Sequence, residues 1–294
     1  MDSRNETYSQ ECRFLDETYF LTVYNAFIAA FADYVVPFDL SETQFRNHLV
    51  LNAVDLTSSV GMIEGGTLVG FTLNGFGRWN GRKTVYDAGT GVLPDFRRRG
   101  LGLTMFDVIM PIFKNRGVEQ YLLEVITTNK NAISMYEKLG FGKTRTLSLL
   151  ELSGEIKFGP GTLIDIELRD IVDADWDLLQ SFWDGDPSWQ NSIPAIERSR
   201  HNKRFIGAYH KGDCLGYVIY SVNNGRIAQI AVHPIFRGLG VGSLLLKRLI
   251  SEYDSNDFKP QVVNIDRSLH EAMSFFENRG FITKLSQFEM IRAI

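Results

Sequence analysis

Two short phrases in this 294-residue chain set arginines directly ahead of glycines. The first is Arg97-Arg98-Arg99-Gly100-Leu101-Gly102-Leu103, and the second is Arg237-Gly238-Leu239-Gly240-Val241-Gly242-Ser243. In each, an apolar strand-like run ends, a short basic loop follows, and a helix is expected to start on the glycines. A helix start leaves backbone N–H groups unpaired and carries partial positive charge. Glycines let an anion approach those groups closely, and arginines add charge for the same anion. Each phrase therefore suits a di- or triphosphate, without naming the ligand. A dinucleotide-binding loop puts its first glycine directly after the strand, whereas His233 to Arg237 intervene here. Neither phrase carries the Gly-Lys-Ser/Thr of a nucleotide-triphosphate loop.

The phrase is part of a longer repeat. Gly100 and Gly102 precede Gly240 and Gly242 by 140 residues, and Gly140-Phe141 precede Gly280-Phe281 by the same interval. Val92 and Pro94 match Val232 and Pro234 in that register. The elements needed to position the phrases can be read in both halves. In the first, a helix is expected over Thr18–Phe31, and Ser41 to Gln44 form a capping box that opens another. Strands are expected at Ser59–Glu64, Thr67–Phe76 and Thr84–Val92, with turns at Gly65-Gly66 and Asn80-Gly81. A helix from Gly102 to Asn115 should be kinked or shortened by Pro111. Strand Tyr121–Thr127, helix Asn131–Leu139, a Gly140 cap and strand Arg145–Leu152 complete this half. The second half reads as strand Ile164–Leu168, helix Ala174–Trp183, then strands Phe205–His210, Cys214–Ser221 and Ile227–Val232. Helix Ser243–Tyr253, strand Val262–Asp266, helix Leu269–Asn278 and a strand over Phe288–Ile294 follow. Gly154, Gly159, Pro160 and Gly161 mark a linker, so the expected domains are 1–152 and 164–294, joined by 153–163.

Composition narrows the function classes. The chain is 44% hydrophobic with a formal charge of −4, which suits two cored domains and gives no basic face for nucleic acid. Cys12 and Cys214 stand alone, which argues against a disulfide framework or a thiolate metal site and favours a reducing cytoplasm. The five histidines show no metal-ligand spacing, so no metal is expected. The polar start reads as no signal peptide, and the most apolar run near it, residues 24–36, is too short and too interrupted to span a membrane, so no membrane is expected.

The glycine phrases and their surroundings resemble the Gcn5-related N-acetyltransferases (GNAT). That family's Gln/Arg-x-x-Gly-x-Gly/Ala is matched by Arg97, Gly100 and Gly102 and again by Arg237, Gly240 and Gly242. The lead-ins Val92-Leu93-Pro94-Asp95-Phe96 and Val232-His233-Pro234-Ile235-Phe236 are similar to its "V-x-P-x-Y/F-R". The stretch 123–141, LEVITTNKNAISMYEKLGF, is similar to its later motif. The resemblance implies an α/β (α+β) fold of two tandem acyl-CoA N-acyltransferase domains, each a mixed, mostly antiparallel sheet flanked by helices. It implies that acetyl-coenzyme A is the acyl donor, with its pyrophosphate on the N–H groups of Arg99–Leu103 or Gly238–Ser243. The pantetheine arm is then expected beside Val92 or Val232 and at Asn129, with Tyr136 as the acid for the departing thiolate. The acceptor is a primary amine of a small molecule or peptide, and the chain is expected as a monomer or homodimer.

In the 140-residue register Tyr136 falls on Phe276 and Asn129 on Leu269. The first half is thus expected to be the reacting one. Asp87 and Glu124 are the candidate bases, and strand alternation leaves open which way each faces. Asp33, Tyr34, Trp183, Asp184, Asp186 and Trp189 are candidates for contact with the acceptor. Two other functions stay open at this level: a non-catalytic acyl-CoA-binding module, and catalysis in the second half.

Overall fold

Alternation along single strands decides how helices flank each sheet. In the computed structural model, which describes residues 10–33, 39–158, 165–253 and 259–294, the chain forms two compact units. The first is Met1–Thr144 with Glu289–Ile294, and the second is Arg145–Phe288.

In the first unit β1 (Gln10–Phe14), β2 (Val60–Glu64), β3 (Thr67–Trp79) and β4 (Arg82–Val92) lie side by side and antiparallel. Strand β5 (Gln120–Ile126) then joins β4 in parallel. The helices are α1 (Phe20–Phe31), α2 (Glu42–Leu51), α3 (Leu101–Asn115) and α4 (Lys130–Lys138). On β3, Phe71 stacks on Phe27 of α1, while Thr72 meets Met105 of α3. Neighbouring residues on a strand point to opposite faces, so α1 and α3 cover opposite faces of the sheet. The capping box at Ser41 is present, with Ser41 and Gln44 each bonding the other's backbone. Asn80 and Gly81, at φ +49° and +76°, close a two-residue hairpin, so β3 runs three residues further than the sequence suggested. Pro111 sits inside α3, which nevertheless continues to Asn115 rather than stopping short.

The second unit holds β6 (Gly142–Leu152, from Arg145 onward), β7 (Glu167–Asp170), β8 (Lys203–His210), β9 (Asp213–Ser221), β10 (Ile227–Val232) and β11 (Gln261–Asp266). Strands β7 to β10 pair antiparallel in sequence order, β10 meets β11 in parallel, and β11 pairs with β6. Its helices are α5 (Trp176–Gln180), α6 (Ile193–Arg198), α7 (Val241–Ile250) and α8 (His270–Glu277). On β9, Val218 and Tyr220 join Leu245 and Leu249 of α7 in one core, whereas Tyr217 and Ile219 join Leu179 and Ile196 in another. Helices again cover both faces.

The last strand, β12 (Phe281–Ala293), contributes Glu289–Ile294 to the first unit, where the Ile294 amide bonds Glu119 O at 3.0 Å. The division therefore falls inside β6 and β12, not at 152. Each unit completes itself with a segment from the other half of the sequence. Sequence reasoning also missed β1, α6 and the first half of β12. The expected linker is described only to residue 158. Among the described residues, no helix is long and apolar enough to cross a membrane.

Candidate active site and paired cradles

Both arginine–glycine phrases fold the same way. Gly100 and Gly240 are the residues before α3 and α7, at φ +80° and +88°, a left-handed conformation that a side chain disfavours. Neither helix start has a side-chain cap, so the N–H groups of its first turn face outward for an external acceptor. Two residues earlier the chain is left-handed again, with Arg98 at φ +63° and Gly238 at +76°. A side chain on Gly102 would strike Met135 Sδ, 2.6 Å from its ideal Cβ, and one on Gly242 would crowd Phe275 at 3.0 Å. These glycines let the following helix, α4 or α8, press against the cradle.

The leading arginines turn away from the cradle. Arg97 donates to Val92 O at 3.1 Å, Ala30 O at 2.8 Å and the Asp33 carboxylate at 2.6 Å. Arg237 repeats the pattern with Val232 O at 3.0 Å, Phe182 O at 3.0 Å and Asp184 at 2.9 Å. Each guanidinium thus ties its strand end to the preceding helical segment. Arg99 is exposed, paired with Glu64 at 3.1 Å, and still beside the helix start.

Between the cradles and the sheets the parallel strands part. The β4–β5 pairing ends at Tyr86 with Leu122, and β10–β11 pairs only at Ile227 with Val262. In the first unit the next residue after the split is Asp87. It shares the floor of the opening with Tyr136 of α4, whose hydroxyl donates to Asp87 Oδ2 at 3.0 Å. Thr90 Oγ1 at 2.8 Å and the Gly89 amide at 3.0 Å complete the carboxylate's partners. Gly89 lies at φ +155° beside a β-bulge, which turns Thr90 toward the same face. Tyr136 and Asp87 are 6% and 7% exposed, so the pair is screened from bulk water. Burial pushes the Asp87 carboxyl up to about 6, against the pull of its three hydrogen bonds. Tyr121, bonded to Asn74 in the same floor, is held well above the usual phenol range, first by burial and then by Asp87 and Tyr136. Asn129 spends its Oδ1 on the Ala132 amide as the cap of α4, while Leu269 starts α8 with no such bond. Glu124 lies half-buried on β5.

In the second unit Ile227 replaces Asp87 and Phe276 replaces Tyr136, and both are buried in one apolar core. Removing one partner of a buried hydrogen bond strands the other, whereas replacing both with apolar groups costs little. The two positions have changed together. Above them is a cleft of about 470 Å³ lined by the second cradle, Trp183, Asp184 and Asp186. Trp183 Nε1 donates to the Tyr217 hydroxyl at 2.5 Å, which donates to Gln229 Oε1 at 2.8 Å along its wall. Trp189 is buried and outside that lining. Asp33 pairs with Arg97, and Tyr34 lies outside the described residues. Thr90, Gly89 and Gln229 were not singled out from the sequence. The signal for Thr90 is only a short polar residue three places after a strand carboxylate, for Gly89 a glycine before it, and for Gln229 a glutamine at the matching strand position.

The model of the acetyltransferase (GNAT) family matches residues 19–141 and 168–281, once per unit. A thialysine N-epsilon-acetyltransferase of Mus musculus is 31% identical over 88 residues, 29% of this chain and 51% of that protein. The chain thus spans about half the length of this curated relative. A GCN5-related N-acetyltransferase structure from Sphaerobacter thermophilus superposes with TM-score 0.72 over 97% of this chain and 95% of that one, at 16% identity. A tandem GNAT protein from the clavulanic acid biosynthesis pathway gives TM-score 0.73 over 97% and 98%, at 14% identity. At such identities the structures speak for the fold, while the family match covers both cradles and the stretch carrying Tyr136. By its repeated cradle and by that double match, the chain belongs to the acetyltransferase (GNAT) family, as a tandem two-domain member.

Proposed function

We propose that the protein transfers the acetyl group of acetyl-coenzyme A to a primary amine, and that the reaction takes place in the first unit. The observation that carries this reading is the buried hydrogen bond from Tyr136 to Asp87 at the point where β4 and β5 part. Gly100 to Leu103 and Arg99 would hold the donor's pyrophosphate, and the free edge of β4 near Val92 would align its pantetheine arm. The amine attacks the thioester carbonyl, and a new C–N bond forms as the C–S bond breaks. Asp87, ionised above about pH 6, takes the proton that the amine loses. Tyr136 gives its own proton to the leaving thiolate. The Asp87 proton then returns to Tyr136 along their shared hydrogen bond, which closes the proton balance within two residues. The net result is an amide, a thiol and no change in the enzyme.

The test is thiol release from acetyl-coenzyme A on a panel of amines, followed across pH. Wild type should lose rate as pH falls through about 6, since the Asp87 base is then protonated. Asp87→Asn should lower turnover by about 10²–10⁴-fold and flatten that limb. A wild-type rate and unchanged profile in Asp87→Asn would sink the assignment.

A second reading places the reaction in the second unit, favoured by its cleft of about 470 Å³. Its floor, however, offers Ile227 and Phe276, neither of which can move a proton.

A further inference from the structure

The Asp87 carboxylate is held from behind the sheet as well as from the floor. Ala88 is the extra residue of the β4 bulge, since Leu73 pairs with Gly89 and Asn74 with Asp87. The Ala88 carbonyl accepts a hydrogen bond from Nε2 of His48, on α2, at 2.8 Å. The next amide, that of Gly89, donates to Asp87 Oδ1 at 3.0 Å. That carbonyl and that N–H are the two ends of one planar peptide group and point in opposite directions. A single peptide therefore joins His48, packed on Phe27 of α1, to Asp87, bonded to Tyr136 of α4. A donor on the carbonyl draws charge from the N–H and strengthens the bond that the N–H gives. The ring is set for this role. Asn52 Nδ2 donates to His48 O at 2.9 Å and to His48 Nδ1 at 3.2 Å. Nδ1 thus accepts, and the neutral ring carries its proton on Nε2, toward Ala88. Burial holds the imidazole below its ordinary pKa, against the pull of the bond to Ala88 O. The side chains that pack on the ring, Phe27 and Phe45, bring no charge. Asp87 itself faces Tyr136 from α4, Tyr121 from β5 and Thr90 from its own strand, with Asn74 opposite on β3.

We propose that His48 is a positioning residue for the reaction: its Nε2–H fixes and polarises the Ala88–Gly89 peptide, and that peptide holds the Asp87 carboxylate toward Tyr136. The proposal rests on the reading of Asp87 as the base. His48 acts through the peptide, not on the substrate, so its loss weakens one of the bonds that favour the ionised carboxylate. The Asp87 carboxyl then holds its proton to a higher pH.

Carbon-13 NMR titration of the Asp87 carboxyl in the full chain, its signal assigned with Asp87→Asn, reads this coupling without any substrate. His48→Leu should raise the titration midpoint by about half a unit to one unit. His48→Gln, whose side-chain amide can reach the same carbonyl, should return it most of the way. A midpoint unmoved in folded His48→Leu overturns the proposal. Should His48→Leu fail to fold, nitrogen-15 shifts of the wild-type ring decide. A neutral His48 with its proton on Nε2 at pH 7 is expected, and a proton on Nδ1 overturns the proposal. Thiol release is followed across pH on the same variants. In His48→Leu the acid limb should move up with the carboxyl midpoint, and kcat at pH 7 should fall about three- to tenfold with KM for acetyl-coenzyme A unchanged. A carboxyl midpoint that moves while the acid limb stays in place would remove Asp87 as the base, with its coupling to His48 still standing.

Discussion

Asp87 is unfavourable for folding, and the proposed reaction uses it as the base. Its carboxyl is raised from 3.8 to about 6 by burial, so the folded protein holds that proton more tightly than the unfolded chain does. The stability this supplies is complete below about pH 4 and is lost as pH rises through about 6. Asp87→Asn should therefore melt higher than wild type at pH 7–8, by about 1–3 kcal/mol, with the gap closing toward pH 4, as thermal melts across that range will show. Tyr136→Phe should do the opposite at neutral pH. It leaves the buried Asp87 one donor short and should cost about 1–3 kcal/mol in a denaturant titration. Tyr136 was legible because a whole motif surrounds it. Asp87 was legible as a candidate only, because its facing depends on the bulge at Ala88, and a bulge of one residue leaves no mark in alternation.

The glycine phrases were legible as helix starts because left-handed positions before a helix favour glycine strongly. The first phrase breaks its own rule at Arg98, left-handed at φ +63°, where the second has Gly238. Arg98→Gly should relieve about 1 kcal/mol of backbone strain and raise the melting temperature, while the lost charge raises KM for the acyl donor; melts and initial rates read the two effects apart. What could not be read was the fate of Arg97 and Arg237. Arginines beside a phosphate cradle suggest a phosphate contact, yet the nearest acids and carbonyls, Asp33 with Ala30 O and Asp184 with Phe182 O, come from helical segments some fifty or more residues away in sequence. Only folding brings them within reach.

Across the whole molecule, repetition both revealed the architecture and hid its seam. Strands β6 and β12 occupy matching places in the repeat, and their local patterns do not say which unit each completes. Residues 1–152 produced alone lack Glu289–Ile294 and leave β6 without β11. That fragment should lose the cooperative melt of the full chain, seen by circular dichroism. The central claim is that the first unit reacts through Tyr136 and the second does not. Turnover of Tyr136→Phe, measured as thiol release with an amine that the wild type acetylates, tests it most directly. The expected result is a fall of about 10²–10⁴-fold in kcat with coenzyme A still bound. Wild-type kcat in Tyr136→Phe, together with its loss in Gly240→Trp, would contradict the claim and move the reaction to the second cleft.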